Sequence, residues 1–312
     1  MKPDGCVRIL PVALRSGLLC AVAALVCLTG CKNPGEGPPT KVALTAASDT
    51  TIRISWKIPV GALPDSYVLA FQETGQSTWQ DFGTATDSAK DAYHNPRGKT
   101  GRYRVTSVFG GRSYSATQTP TSEPVHSAAM PVGELNSTSY PAYGWDRDSG
   151  TGSVFTMKYA SNADNVDFYI TDWTTGKGGQ YYAASPDLAP NEPGGAGLVP
   201  AGAWRTAGLS LLPADQQSPL PAYNSGAYAD NLLLRTDSTF AAVLCTDSVW
   251  VFDTTLVIDT TTEIDTTTLV DTFPIVERRY GLVLFGSPDT ISGTVPVETR
   301  FQLIPNLRLI QH

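Results

Sequence analysis

From Thr51 to Trp56 polar and apolar side chains alternate without a break, so Ile52, Ile54 and Trp56 share one strand face while Arg53 and Ser55 take the other. The same period predicts a strand over Ser66–Phe71, with Tyr67, Leu69 and Phe71 together, and another over Arg102–Phe109, with Tyr103, Val105 and Ser107 together. Pro59, Gly61, Pro64-Asp65, Asn95-Pro96, Gly98 and Gly110-Gly111 punctuate these runs. Short strands separated by such turns predict one antiparallel sandwich over residues 41–125.

Beyond residue 125 the period weakens. Ser153–Ala160 and Val166–Trp173 read as paired strands joined by the turn Ser161–Asn165, with further strands at Asn231–Arg235, Phe240–Cys245, Arg279–Phe285 and Phe301–Ile310. Ala183–Asn224 is rich in Pro, Ala and Gly and reads as a long surface excursion. No amphipathic helix of four turns follows residue 40. The expected class is all-β: the first sandwich, then a second β-rich, sandwich-like domain with long loops over 126–312.

One pattern in the second half is regular. Asp247, Asp253, Asp259, Asp265 and Asp271 stand six apart, each followed by Ser or Thr, and Phe252, Ile258, Ile264, Val270 and Val276 close the units. Six is even, so an extended chain puts every Asp on one face and every closing apolar residue on the other. A single strand over 247–276 would run about 100 Å, so the segment must turn back as a long hairpin or project as an arm. A β-helix would need small corner residues that are missing, and a shared Ca²⁺ would need the carboxylates brought together by folding. A solvated Thr/Asp insertion is the simplest reading, its acids opposing edge-to-edge aggregation.

The N-terminus changes the picture of where this chain works. Lys2, Arg8 and Arg15 precede an apolar run, Leu18–Leu28, too short to span a bilayer, and Leu28-Thr29-Gly30-Cys31 follows. The tetrad resembles the lipobox of bacterial lipoproteins. That resemblance implies a signal peptide over 1–30 and a lipidated Cys31 as the first mature residue, held in the bilayer by its acyl chains. Lys32, rather than aspartate, follows the cysteine, which in that family's sorting rule favours the outer membrane. Residues 31–40, dense in Pro and Gly, then read as a tether holding the first domain clear of the lipid.

The first sandwich resembles the fibronectin type III family. The resemblance rests on Pro39 with Leu44, on Ile52-x-Ile54-x-Trp56 with Pro59 after it, and on Tyr67-x-Leu69-x-Phe71. Tyr103-x-Val105-x-Ser107-Val108 and the closing Ser122-Glu123-Pro124-Val125 extend it. It implies that Trp56 is a core residue and that Tyr103 packs at a sheet corner. Tyr93-His94-Asn95-Pro96 stands where the family carries a leucine ahead of that corner, and no Arg-Gly-Asp triplet occurs. Modules of this kind act as spacers or recognition platforms, so the fold alone names no function.

Composition narrows the chemistry. The formal charge is −7, and loss of the leader leaves it near −9, which gives no general attraction to phosphate backbones; nucleic acid is not an expected partner. Cys6, Cys20 and Cys27 leave with the leader and Cys31 carries lipid, so Cys245 stands alone in an apolar strand as a buried small hydrophobe. His94, His126 and His312 are scattered, so no catalytic residue, metal site or cofactor is expected. Asp148-Ser149-Gly150-Thr151 spells an aspartic-protease tetrad without the apolar strand or second copy that chemistry needs, and reads as a polar turn. Trp145, Tyr181, Tyr182, Trp204, Tyr223 and Tyr228 are the candidate binding residues, flat faces suited to stacking on sugar rings or to a protein interface. The expected function is a membrane-anchored, non-catalytic envelope module recognising protein or glycan. The alternative is an exported polysaccharide hydrolase with an accessory first domain.

Overall fold

The computed structural model describes residues 35–173, 179–192, 197–216, 218–258 and 266–311; Cys31 and the leader lie outside them. Strands β1 (Thr40–Ala46), β2 (Ile52–Lys57) and β5 (Asp91–His94) form one sheet in that order. Strands β3 (Ser66–Glu73), β4 (Gln80–Thr86), β6 (Gly101–Phe109) and β7 (Arg112–Ser115) form a second sheet in the order β4-β3-β6-β7. Ile52, Ile54 and Trp56 from one sheet meet Tyr67, Leu69, Phe71, Tyr103 and Val105 from the other, as the alternation requires.

The second unit is also two sheets. Strands β9 (Ala142–Trp145), β10 (Gly152–Phe155), β11 (Phe168–Thr171), β12 (Tyr182–Ala184) and β14 (Asn231–Leu233) run in the order β10-β9-β11-β12-β14. Strands β8 (Val125–Gly133), β13 (Ala207–Leu212), β15 (Thr239–Ile258), β16 (Thr266–Phe285) and β17 (Thr294–Phe301) run in the order β13-β15-β16-β17-β8. Tyr143, Trp145, Phe168 and Ile170 pack between the sheets against Val243, Cys245, Val283, Phe285, Val297 and Phe301. Among the described residues no helix is long and apolar enough to cross a membrane.

Several expectations for this half are corrected. The strands expected at 153–160 and 166–173 do not pair with each other; each pairs with β9, which lies between them. The stretch 183–224 is no surface excursion, since it supplies β13 and buries Ala184, Ala189, Val199, Trp204, Leu209 and Leu220. β14 and β15 belong to different sheets. The last strand is Thr294–Phe301 rather than Phe301–Ile310. Downstream of it the chain crosses to the first sandwich, where Ile304, Leu307 and Leu309 enter the core and Arg308 reaches Asp49 at 2.7 Å. Gln302 donates to Ser122 and Leu309 carbonyls on the way.

The Pro/Gly segment is bonded to the first sandwich from Gly35 onward. Ala62 N–H donates to the Gly35 carbonyl at 3.0 Å, Tyr114 donates to Glu36 at 2.8 Å, and Ser107 donates to the Gly37 carbonyl at 2.6 Å. A Pro/Gly segment forms no ladder of its own, yet its carbonyls and Glu36 remain available as acceptors for the sandwich.

The acidic repeat is a hairpin. β15 and β16 pair over twenty residues each, from Thr239 opposite Phe285 to Ile258 opposite Thr266. Only the inner part belongs to the sheet, because β13 covers Phe240–Cys245 and β17 covers Gly281–Phe285. The outer part continues as a two-stranded ribbon of about 36 Å in which the repeat folds onto itself, Asp253 opposite Asp271 and Asp247 opposite Glu277. Asp259 and Asp265 lie outside the described residues.

Candidate functional site

The six aromatics singled out from the sequence do not converge. Trp145 is a core residue, stacked on Phe301 at 5.0 Å with its indole N–H donating to Thr299. Tyr181 is buried in the same core. Trp204 is buried under the opposite face of the sheet and donates to the Pro200 carbonyl. Tyr182 is half-buried beside Trp173, and Tyr228 is half-buried with its hydroxyl on the Pro221 carbonyl. Tyr223 alone is well exposed, and the Arg278 guanidinium lies over it at 3.7 Å. Burial explains most of the set: flanking Pro and Gly made core residues look like loop residues.

A different pair of aromatics does frame a concavity. A groove of about 520 Å³ opens where the β8–β9 connection faces the segment after β10, with Leu198 and Val199 closing one side. Tyr140 and Tyr159 stand on its rim at 57% and 63% exposure. Leu135, Met157 and Val199 form an apolar floor, while Asn136, Ser137, Thr138, Ser139, Thr156 and Lys158 supply polar groups. The volume lies within the usual range for a ligand site, and the lining is richer in polar groups than most such sites.

The wall is built by a tight turn. Gly133 donates to the Tyr140 carbonyl at 2.8 Å, and Ser137 N–H donates to the Glu134 carbonyl at 2.8 Å. A Cβ on Gly133 would lie 2.4 Å from the Ser137 hydroxyl and 2.7 Å from the Ser139 Cβ, so only glycine lets the turn close. Glu134 Oε1 accepts from Asn136 N–H at 2.9 Å and from the Asn136 amide at 3.1 Å, fixing that side of the groove from behind.

Glu134 itself is wholly buried, and its Oε2 has no hydrogen-bond partner among the described residues. Burial pushes this carboxyl up to about 7, against the lowering by Asn136, and nearby Asp172 and Glu192 push it the same way. Glu192, also buried, is raised by desolvation although Tyr169 and Thr171 donate to it at 2.5 and 2.9 Å. Among the described residues, no group of acids, His and Cys is arranged to hold a metal ion. The acids sit behind the groove, and none lines it.

The arm has its own root. Arg147 binds Asp167 at 2.6 Å and Asp247 at 2.7 Å, and Arg205 lies 3.6 Å from both carboxylates. Asp167 is buried and also accepts the Trp145 N–H at 2.9 Å. Arg279 adds bonds to the Arg147 and Leu303 carbonyls and to Glu277. Two arginines and two aspartates thus clamp β15 where it leaves the sheet. Asp148-Ser149-Gly150-Thr151 is the polar turn expected, organised by Asp146, whose carboxylate accepts the Asp148 and Ser149 N–H groups.

The three-plus-four sheet order with Trp56 and Tyr103 in the core carries the resemblance into the structure. The first unit is fibronectin type III-like. An FN3 domain of human collagen XX is similar over 28% of this chain and 88% of its own, at 17% identity and a TM-score of 0.25. Chicken CNTN1 FN1–FN3 domains align over 85% of this chain and 98% of theirs, at 8% identity and a TM-score of 0.23. No protein-family model and no curated protein matches the chain.

Proposed function

We propose that this chain is a lipid-anchored envelope module that binds rather than transforms its ligand, a glycan or an extended polypeptide held in the Tyr140–Tyr159 groove. The observation that carries the reading is the lining: two exposed aromatic rims over an apolar floor, hydroxyl and amide groups around them, and one lysine. Tyrosine faces stack on sugar rings or proline-rich segments, and the hydroxyls and amides fix orientation. Catalysis by hydrolysis of a glycosidic bond calls for two opposed carboxyls at the reacting centre, and the lining residues contribute none.

The anchor supports the same reading from the sequence side. Leu28–Cys31 resembles a lipobox, and Lys32 after it favours residence in the outer membrane. Acyl chains at Cys31 would hold the chain at the bilayer and keep the groove of the second unit open to water.

Binding to insoluble glycans and to immobilised extended peptides, measured together with turnover, tests the proposal. Retention that falls at least about tenfold in Tyr140→Ala with Tyr159→Ala supports it, as the loss of two stacked rings requires. Turnover abolished by a single carboxylate substitution would replace it with the hydrolase reading.

A further inference from the structure

We infer that the β2–β3 loop, Val60 to Leu63, is a second membrane contact that seats the first sandwich on the bilayer holding Cys31. The inference rests on the lipid anchor proposed above. Val60 is 96% exposed and Leu63 61% exposed, two aliphatic side chains at the tip of one loop with Gly61 and Ala62 between them. Such a tip has no folding role to explain it, since apolar side chains left in water contribute nothing to a core.

Its position decides what covers it. Among the described residues, the loop is the first part of the sandwich that the incoming chain touches. Ala62 N–H donates to the Gly35 carbonyl at 3.0 Å, and a Cβ placed on Gly61, whose φ is +115°, would lie 2.6 Å from the Gly35 Cα. Gly35 is four residues from Cys31, and four residues reach at most about 14 Å when fully extended. A diacylated Cys31 at the bilayer therefore holds Gly35, and with it the loop, within that distance of the lipid surface. No longer spacer intervenes, because Glu36 and Gly37 are already bonded to β7 and β6.

The charges around the loop agree. Lys57 is exposed at the end of β2, and Arg112 is largely exposed at the start of β7. The acids at this end have partners in the fold: Asp65 accepts the Gly110 N–H at 2.6 Å, and Glu36 pairs with Arg112 at 3.3 Å. An aliphatic tip beside the exposed Lys57, with Arg112 paired to Glu36, carries no net negative charge to oppose entry into the headgroup–acyl boundary of a bilayer. The opposite turn, around Gln76, lies about 26 Å away along β3 and serves as an internal reference.

The test uses the full-length lipidated protein, reconstituted into phosphatidylethanolamine/phosphatidylglycerol vesicles and carrying an environment-sensitive fluorophore at Val60→Cys or at Gln76→Cys. Cys245 is buried and does not compete for label. The label at 60 is expected to shift to the blue on reconstitution and to lose most of its emission to spin-labelled lipid, while the label at 76 does neither. Protein that floats with vesicles while the label at 60 stays water-exposed overturns the loop contact and leaves the anchor standing. Protein that does not float overturns both. A label at 60 already shielded without vesicles assigns the tip to a second copy of the chain and also overturns the inference.

Discussion

His94 Nδ1 lies 3.1 Å from the Tyr103 hydroxyl, and its ring stacks on Phe82 at 4.1 Å with 19° between the planes. The histidine is thus packed among aromatic side chains, and Phe71 closes the third side at 5.2 Å. Desolvation lowers the His94 pKa from its ordinary 6.5. The unfolded chain therefore takes up a proton at a higher pH than the folded one. His94 therefore costs no stability above about 6.5 and an increasing amount as the pH drops through and below that value. Because Glu134 acts in the opposite direction over the same range, the His94 share is read from the variant: in equilibrium urea unfolding at pH 7.5 and 5.5, His94→Leu is expected to lose less, or gain more, stability on acidification than wild type, at a cost of about 1–3 kcal/mol from the abandoned Tyr103 hydroxyl. An unchanged slope in the variant would remove His94 as the source.

Glu134 acts in the opposite direction. Its carboxyl is raised from the usual 4.5 to about 7, so the folded state keeps a proton that the unfolded state has released. The associated stability is complete below about 4.5 and is lost as the pH rises through about 7, by at most about 3 kcal/mol. Glu134→Gln removes the titration while keeping an acceptor for Asn136. Its unfolding midpoint is expected to vary less than wild type between pH 5 and 8. A parallel dependence in both proteins would mean that the carboxyl ionises in the fold at the same pH as in the unfolded chain.

The first sandwich was legible because each strand has one buried and one solvated face. In β2 the buried positions are Ile52, Ile54 and Trp56, and the period of two is plain. In the second unit the same rule loses its signal. β9 and β11 are buried on both faces, so Ala142–Trp145 and Phe168–Thr171 show no alternation and run only four residues. Nothing in such a stretch says that β9 separates β10 from β11. The groove was missed for a related reason: its rim tyrosines lie beside turn residues, Ser139 and Pro141 around Tyr140 and Lys158 before Tyr159, and no period distinguishes them from Tyr181 or Trp204. A tyrosine set in a Ser/Thr-rich turn was the one available sign. For the repeat the sequence left a long hairpin or a projecting arm open, since no compact body accommodates its extended length; the pairing of β15 with β16 decides for the hairpin.

Cys31→Ser tests the anchor directly. The variant lacks the thiol to which diacylglycerol would be attached, so the chain is expected to move from the membrane to the soluble fraction on cell fractionation. Unchanged partitioning would reject lipidation at this residue.

The arm and its root should separate cleanly. Beyond Asp247 the ribbon makes its ladder only with itself, whereas Asp247 shares its carboxylate between Arg147 and Arg205. Replacing Asp253–Asp271 with Asn-Gly keeps Phe252 and Thr272 as cross-strand neighbours and supplies a two-residue turn of the type hairpins favour. The thermal midpoint of the body is then expected to stay where it is, because the core residues of β15 and β16 lie at or inside Cys245 and Tyr280. Arg147→Ala has the contrary effect: it removes the closest cation from Asp167, a carboxylate with almost no solvent contact. Arg205 at 3.6 Å compensates only in part, so a loss of about 3 kcal/mol is expected in chemical unfolding. If shortening the arm lowered the midpoint as much as Arg147→Ala does, the ribbon would have to count as part of the core rather than as something the core carries.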